Sequence, residues 1–410
     1  MCAMTAWHFS EMAYPPAWHA GDEVGSYRVT LPNRLAEPDK VADIYHRHLD
    51  EFRLCDELGI NIMLNEHHST ATCLNAAVPL FLSVLARETK NVRLLSLGTP
   101  IANRPDPVRV AEEMAIVDVL SRGRLDMGLV KGAPFEIAPA NSNPARIMDR
   151  FWEAHDLILK AMSTQDGPFN WEGEYFHYRN VNIWPRPWQQ PHPPVWITGL
   201  SPHSGKSIAE RGHIAAALLS GGIARGMFDA YRQRAAELGW AATPDRFAYC
   251  ALVGIGHNEA EGRRRADQIA GYVRTSPIVA EPFRNPPGYA PVPANVQALK
   301  AGPQKFVAKV QTADGRTIDP TQGTVQEFMD ARTVFAGTPD QVFEQIKEFN
   351  AEVGGLGHLI IMGQGGSLGY EDTCDNLRLF ANEVMPRLSE IEMPENPYGE
   401  AAERVAGAAE

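Results

Sequence analysis

Cysteine is scarce in this chain of 410 residues: Cys2, Cys55, Cys73, Cys250 and Cys374 are scattered, with no Cys-x-x-Cys pair. Such spacing gives no disulfide framework and no zinc signature, and it suits a reducing compartment. No apolar run reaches the ~18 residues that a membrane-spanning helix needs. The first residues, MCAMTAWHFSEM, lack a basic start and a long apolar stretch, so no signal peptide is expected and a cytoplasmic location is. Basic residues are in deficit: 38 Lys and Arg against 50 Asp and Glu leave a net charge of −12. That balance argues against nucleic acid or an anionic membrane surface as partner. No Gly-x-Gly-x-x-Gly follows a strand and opens a helix, which weighs against a Rossmann domain.

What is present is a large apolar fraction, 44%, with 21% charged residues, enough for a sizeable core. The clearest unit is Val92–Gly132. Val92–Gly98 reads as a buried strand. Asp106 is a good N-cap and Pro107 suits the first helical position, where a missing N–H has no helical partner to lose. Val110, Ala111, Met114, Ala115 and Val117 then recur at helical spacing. Leu125–Val130 is a second strand, so the whole is a βαβ unit with parallel strands. Further strands are predicted at Ala6–Met12, Ile60–Leu64, Pro193–Gly199, Ile214–Leu219, Phe247–Ile255 and His358–Gly363, nearly all followed by helices. Pro38–Leu58 carries Val41, Ile44, Tyr45, His48, Phe52 and Cys55 on one face. Met148, Phe151, Trp152, His155, Ile158, Leu159 and Met162 form another stripe. Gly167–Gln190 reads as irregular and aromatic. Eight strands alternating with helices predict an α/β chain, a (β/α)8 TIM barrel with insertions, over residues 1–390. A proline-rich stretch at about 276–323 breaks the rhythm as an insertion, and 391–410 is expected to be a polar tail.

In such a barrel the polar residues just past each strand end are the candidates for chemistry. They include Glu66, His67 and His68; Gly98, Thr99 and Asn103; Lys131 and Gly132; Ser201 and Ser204; and Gln364. A histidine there suits proton exchange near neutral pH, and of two adjacent ones a single ring is expected to face the pocket. Ser201 as N-cap, Pro202 next and Ser204 third would leave N–H groups and hydroxyls at a helix start, a phosphate site that Lys131 could balance. The alternative is that Ser201 merely caps its helix and Lys131 is solvated. Trp7, Tyr14, Trp18 and the aromatics from Phe169 to Trp188 could wall a pocket for a planar ring or simply pack over the barrel. Arg104, His203 or Arg225 could meet a substrate carboxylate. No metal-ligand cluster stands at the strand ends, which counts against a metal-dependent hydrolase.

Together, Glu66-His67-His68, the segment PVRVAEEMAIVDVLSRGRLDMGLVKG, PHPPVWITG at 191–199, AGTPDQV at 336–342 and the closing LFANEVMPRL resemble the bacterial-luciferase-like flavin-dependent monooxygenases. The resemblance implies a barrel that binds reduced FMN and uses O2 as co-substrate, through a flavin C4a-(hydro)peroxide, to oxygenate a small organic substrate. It implies that His67, with His68, manages a proton. It implies flavin contacts from Glu66, Gly98, Thr99, Asn103, Val130, Lys131, Gly132, Leu200, Ser201 and Ser204, with Lys131 standing where an Arg is usual. A separate NAD(P)H:flavin reductase is the implied partner, because no second nucleotide-binding module is evident, and a homodimer or homotetramer is the implied assembly. An F420-dependent hydride-transfer enzyme on the same barrel, or a non-catalytic flavin-binding accessory protein, are the alternatives.

Overall fold

Every long strand of this chain is returned by a helix to lie parallel to the one before it, and the row closes on itself. In the computed structural model, which describes residues 4–290, 296, 310–312 and 314–409, the strands are β1 Thr5–Ser10, β2 Asn61–Leu64, β3 Leu94–Pro100, β4 Leu125–Val130, β5 Val195–Thr198, β6 Ile214–Leu218, β7 Phe247–Ile255 and β8 His358–Gln364. Each pairs in parallel with the next, and β8 pairs with β1, from Thr5 opposite His358 to Ser10 opposite Gln364. This is a closed (β/α)8 barrel. The returning helices are α1 Pro38–Leu58, α2 Val78–Glu88, α3 Pro107–Ser121, α4 Ile147–Ser163, α5 Pro202–Ala209, α6 Ala224–Glu237, α7 Glu259–Ile269, α8 Pro339–Val353 and α9 Tyr370–Leu379.

Local chemistry explains the boundaries. The Asp106 carboxylate accepts from the Arg109 N–H at 3.0 Å, with Pro107 at the first position of α3. Gly59 ends α1 in the left-handed conformation, φ +75°. Alternation within the strands then separates two cores. Trp7 and Phe9, Ala248, Cys250 and Leu252, Ile360 and Met362 point inward, with Trp196 and Met63, and fill the barrel. Their neighbours face the helices. On β1 the outward positions turn polar. His8 on β1 donates from Nε2 to Glu51 Oε1 of α1 at 2.6 Å, and His48 hydrogen-bonds Ser10 at 2.9 Å, all buried.

Several elements depart from the pattern. β1 ends at Ser10, two residues short of the expected Met12, which moves Glu11 to the rim. Phe169–Glu172 and His177–Val181 form an antiparallel hairpin instead of irregular chain, seated on α4 by Glu153, which accepts N–H bonds from Glu174, Tyr175 and Phe176. A ninth parallel strand, Val334–Gly337, pairs with Leu252–Ile255 because β7 outruns its neighbour β6. On α4, Met148 is exposed while Phe151, His155, Ile158 and Met162 are buried. Gly399–Ala409, expected within a polar tail, forms a helix whose Ala402 is buried. Of the expected insertion, 291–295, 297–309 and 313 lie outside the described residues, as does Cys2; the other four cysteines are free and buried. Among the described residues no helix is long and apolar enough to cross a membrane.

Burial alone would raise the Glu51 carboxyl, but interactions with His48 and His8 outweigh it and hold the group well below the usual carboxylate range. A folded pKa below the unfolded one gives stability that is present above the unfolded value, near ~4.3, and lost as pH falls. Glu51→Gln should therefore cost about 3–5 kcal/mol at neutral pH. It should also flatten the acid limb of the stability curve, as read by chemical denaturation from pH 7 down to pH 3; an unchanged limb would remove Glu51 from this role.

Candidate active site at the carboxyl ends of the strands

The rim above β1 to β4 gathers four buried acidic or basic side chains, Glu11, Arg28, Glu66 and Glu136. Glu66 follows β2 and is buried. Its Oε1 accepts from Arg104 Nη2 at 2.7 Å and His68 Nε2 at 3.2 Å, and its Oε2 accepts the Val78 N–H at 3.0 Å. Both oxygens are thus engaged by the protein, and Glu66 acts as a clamp that also caps α2. The hydrogen bond to Glu66 favours the imidazolium of His68 and raises its pKa, against the opposing effect of burial.

His67 is held by a second carboxylate. Its Nδ1 donates to Glu136 Oε1 at 3.1 Å, an oxygen that also accepts the His68 N–H at 3.2 Å, while Glu136 Oε2 accepts from Ala133 N–H at 2.8 Å. Burial would raise Glu136, but the hydrogen bond and charge of His67 prevail and keep it low, as an anion. With Nδ1 so engaged, His67 Nε2 has no protein partner among the described residues and carries the lone pair when the ring is neutral. The two adjacent histidines are therefore differently placed: His68 turns back to Glu66, and His67 turns to Glu136.

Gly98 lies where β3 bulges against β4, with the Leu97–Gly98 peptide cis. A Cβ there would come within 2.2 Å of Val130 Cγ1, so only glycine lets the bulge lie flat on Val130. Thr99 Oγ1 and both amide atoms of Asn103 are buried without a partner. Gly132, at φ +92°, makes room for that amide, since a Cβ would meet Asn103 Nδ2 at 2.4 Å. Each unpaired buried polar group costs about 1–3 kcal/mol, so a cluster of them marks a place for a polar ligand edge. Lys131 Nζ lies 3.7 Å from the centre of the Tyr289 ring, and Tyr289 donates to the Gly132 carbonyl at 2.7 Å. Burial lowers the Lys131 pKa to about 8. On the far side of β5, Leu200 is exposed, and Ser201 and Ser204 form a reciprocal capping box at the start of α5, 3.0 and 3.1 Å.

Other expectations resolve differently. Trp7 packs edge-on to Trp196 inside the barrel, at 5.2 Å. Trp184 and Trp188 are exposed. Arg104 is taken by Glu66, Arg225 binds Asp229 and the Glu352 carbonyl, and His203 is exposed. Gln364 is spent on the turn after β8, donating to Leu368 O and Thr373 Oγ1. Among the described residues no group of three or more His, Cys, Asp or Glu could hold a metal. Four rim residues went unnoticed in the sequence. Glu11 would have been flagged had β1 been ended at Ser10. Arg28, Phe135 and Glu136 sit in loops with no local signal.

A family model described as luciferase-like monooxygenase matches residues 27–356. The chain belongs to that family. The oxygenase component of the flavin-dependent trigonelline monooxygenase of Acinetobacter baylyi is 28% identical over 184 residues, 44% of this chain and 50% of that protein. The chain thus spans about half to three-fifths of the length of the first curated relatives it matches. The oxygenating constituent of 3,6-diketocamphane monooxygenase from Pseudomonas putida, solved with FMN, has a TM-score of 0.68 at 19% identity and covers 96% of this chain and 100% of that one. An F420-dependent secondary alcohol dehydrogenase gives 0.63 at 14% identity, over 94% and 99%. These two likenesses report the shared barrel.

The Glu66 clamp makes a direct prediction. In wild-type protein the His68 ring titrates above the ordinary histidine value, and Glu66→Gln lowers that midpoint. Ring-proton NMR with each histidine assigned by substitution measures it in both proteins; an unmoved His68 midpoint would refute the clamp.

Proposed function

We propose that this luciferase-like chain is a flavin-dependent monooxygenase that takes reduced FMN from a separate NAD(P)H:flavin reductase and oxygenates a small organic substrate with O2. The observation that carries the reading is the set of buried, unpartnered polar atoms on Thr99 and Asn103 beside the flat Gly98–Val130 contact. A planar ring with a hydrogen-bonding edge is the kind of group that satisfies them. Thr99, Asn103 and Val130 would hold that ring, and Lys131 with the Ser201–Ser204 helix start would hold a phosphate. Reduced FMN, when bound, supplies the electrons that activate O2.

The chain's own residues do the rest. His67 presents Nε2 as a proton acceptor and donor, fixed in direction by Glu136. Water is kept out by three crossing segments. Tyr27 N–H donates to Ile278 O at 3.1 Å, Arg28 Nε to Ser276 O at 2.9 Å, and Ala71 N–H to Tyr27 O at 3.0 Å. This cover ties the loop after β1 and the loop after β2 to residues 276–280, and a dry site protects reactive oxygen species from wasteful breakdown. Leu80 and Val84 on α2 and Ile116, Val119 and Leu120 on α3 are exposed apolar residues, which supports a homo-oligomer with these helices at its interface.

Two measurements test this. Photoreduced FMN, O2 and a substrate panel should give substrate-dependent oxygenation; His67→Ala should leave the FMN Kd within about twofold and release more H2O2 per O2 consumed. Loss of FMN binding with unchanged coupling would refute the role of His67, and binding of F420 but not FMN would replace oxygenation by hydride transfer. Separately, Lys131→Met should weaken FMN roughly tenfold or more but leave riboflavin unaffected. In wild-type protein FMN affinity should fall as pH rises past about 8, where the free lysine loses its charge; equal losses for both flavins would take Lys131 off the phosphate.

A further inference from the structure

Beneath the crossing segments, two opposite charges are buried side by side without closing on each other. Glu11, the first residue past β1, is 1% exposed, and Arg28, on the loop that follows, is 2% exposed. Glu11 Oε2 accepts from Asn65 Nδ2 at 2.8 Å, but Oε1 has no partner. Arg28 spends Nε on Ser276 O and lays its guanidinium over the Phe135 ring at 4.1 Å, but Nη1 has no partner. Among the described residues no ion pair within 4.0 Å joins the two, although ion pairs of that kind form throughout the rest of the molecule. Contacts tie both to His67. Asn65, which donates to Glu11, accepts at its carbonyl from the Asn75 amide at 2.8 Å, and the Asn75 carbonyl accepts the His67 N–H at 3.0 Å. The His67 ring packs 5.8 Å from the Phe135 ring that carries the Arg28 guanidinium. Burial raises the Glu11 pKa, while His67 and Arg28 pull it back. An unpaired guanidinium and an unpaired carboxyl in a dry site are each expensive, and sharing the space without pairing is a cost that a ligand can remove.

We propose that Arg28 and Glu11 are the specificity-determining residues of this site, and that the substrate is a small organic acid: its carboxylate seats on Arg28 Nη1, and a hydroxyl or ring N–H of the same molecule donates to Glu11 Oε1. This rests on the oxygenase reading and names the substrate class for it. The arrangement follows from the chemistry of the parts. Arg28 is backed by an aromatic face and fixed at Nε, so its remaining edge offers donors in a set direction, which suits a planar carboxylate. Glu11 lies near His67, so a donor held by Glu11 is held next to the group proposed to move protons. The arginines that the sequence offered for this task, Arg104 and Arg225, are already committed to carboxylates and a carbonyl.

The test uses the full chain with FMN bound and calorimetric titration of benzoate, the three hydroxybenzoates and the matching benzamides. The wild-type protein should bind at least one hydroxybenzoate, at least tenfold more tightly than its amide, because a charge-assisted bond is lost in the amide. Arg28→Gln, which can still donate to Ser276 O, should abolish that preference, and Glu11→Gln should remove the advantage of hydroxybenzoate over benzoate. If Arg28→Gln does not fold, Arg28→Lys is read instead, and should narrow the preference because the fork is lost. FMN affinity, measured by fluorescence quenching, should not change in any variant. No carboxylate preference in the wild type, or a preference retained in the Arg28 variant, overturns the inference while leaving the oxygenase reading in place. Failure of the wild type to bind FMN overturns the oxygenase reading instead.

Discussion

Glu66 is the point on which the rim depends. A single buried carboxylate holds Arg104, His68 and the first N–H of α2, and so ties the loop after β2, the start of α2 and the loop after β3 together. A buried anion is tolerated only when its lone pairs are occupied by good donors. Here that requirement dictates where His68 points, and with His68 turned inward the next ring, His67, is left to Glu136. Two carboxylates thus turn two adjacent, chemically identical side chains different ways, His68 with Nε2 on Glu66 and His67 with Nδ1 on Glu136. The same logic operates outside the barrel, where Glu51 orders His8 and His48 between β1 and α1.

The rim is also where the structure carries its costs. Thr99, Asn103, Glu11 and Arg28 all bury polar atoms without partners, whereas the interior below them is filled by Trp7, Trp196, Met63 and Leu95. Stability is supplied at the bottom of the barrel and in the shell between strands and helices, while a cluster of unsatisfied polar atoms stands at the top. Such a division is what a binding site on a rigid scaffold requires, because a ligand gains affinity from groups that are already desolvated and oriented.

Most of the architecture was legible along the chain. Period-two and period-3.6 patterning, Asp106-Pro107 and Gly59 marked elements within a residue or two, because each signal arises within one turn or one strand. Boundaries were less sharp, and the shift of β1 from Met12 back to Ser10 hid Glu11 among strand residues. The hairpin at 169–181 was missed because its stabilising partner, Glu153, lies on a helix before it. The aromatics there, which the sequence left open as a pocket wall or as packing over the barrel, pack against α4 or stand in solvent.

The sequence by itself determined a barrel that resembles the luciferase-like kind, with His67 and His68 at a strand end. Both follow from short-range pattern and from short motifs that resemble that family. Only the tertiary structure decided what those residues can do. Which ring nitrogen of each histidine is held, which arginine is unspent and which carboxylate is left open depend on contacts between positions such as 11 and 65, 28 and 276, or 67 and 136. Hydrogen-bond satisfaction in a buried space is a property of the assembled rim, and no single segment contains it.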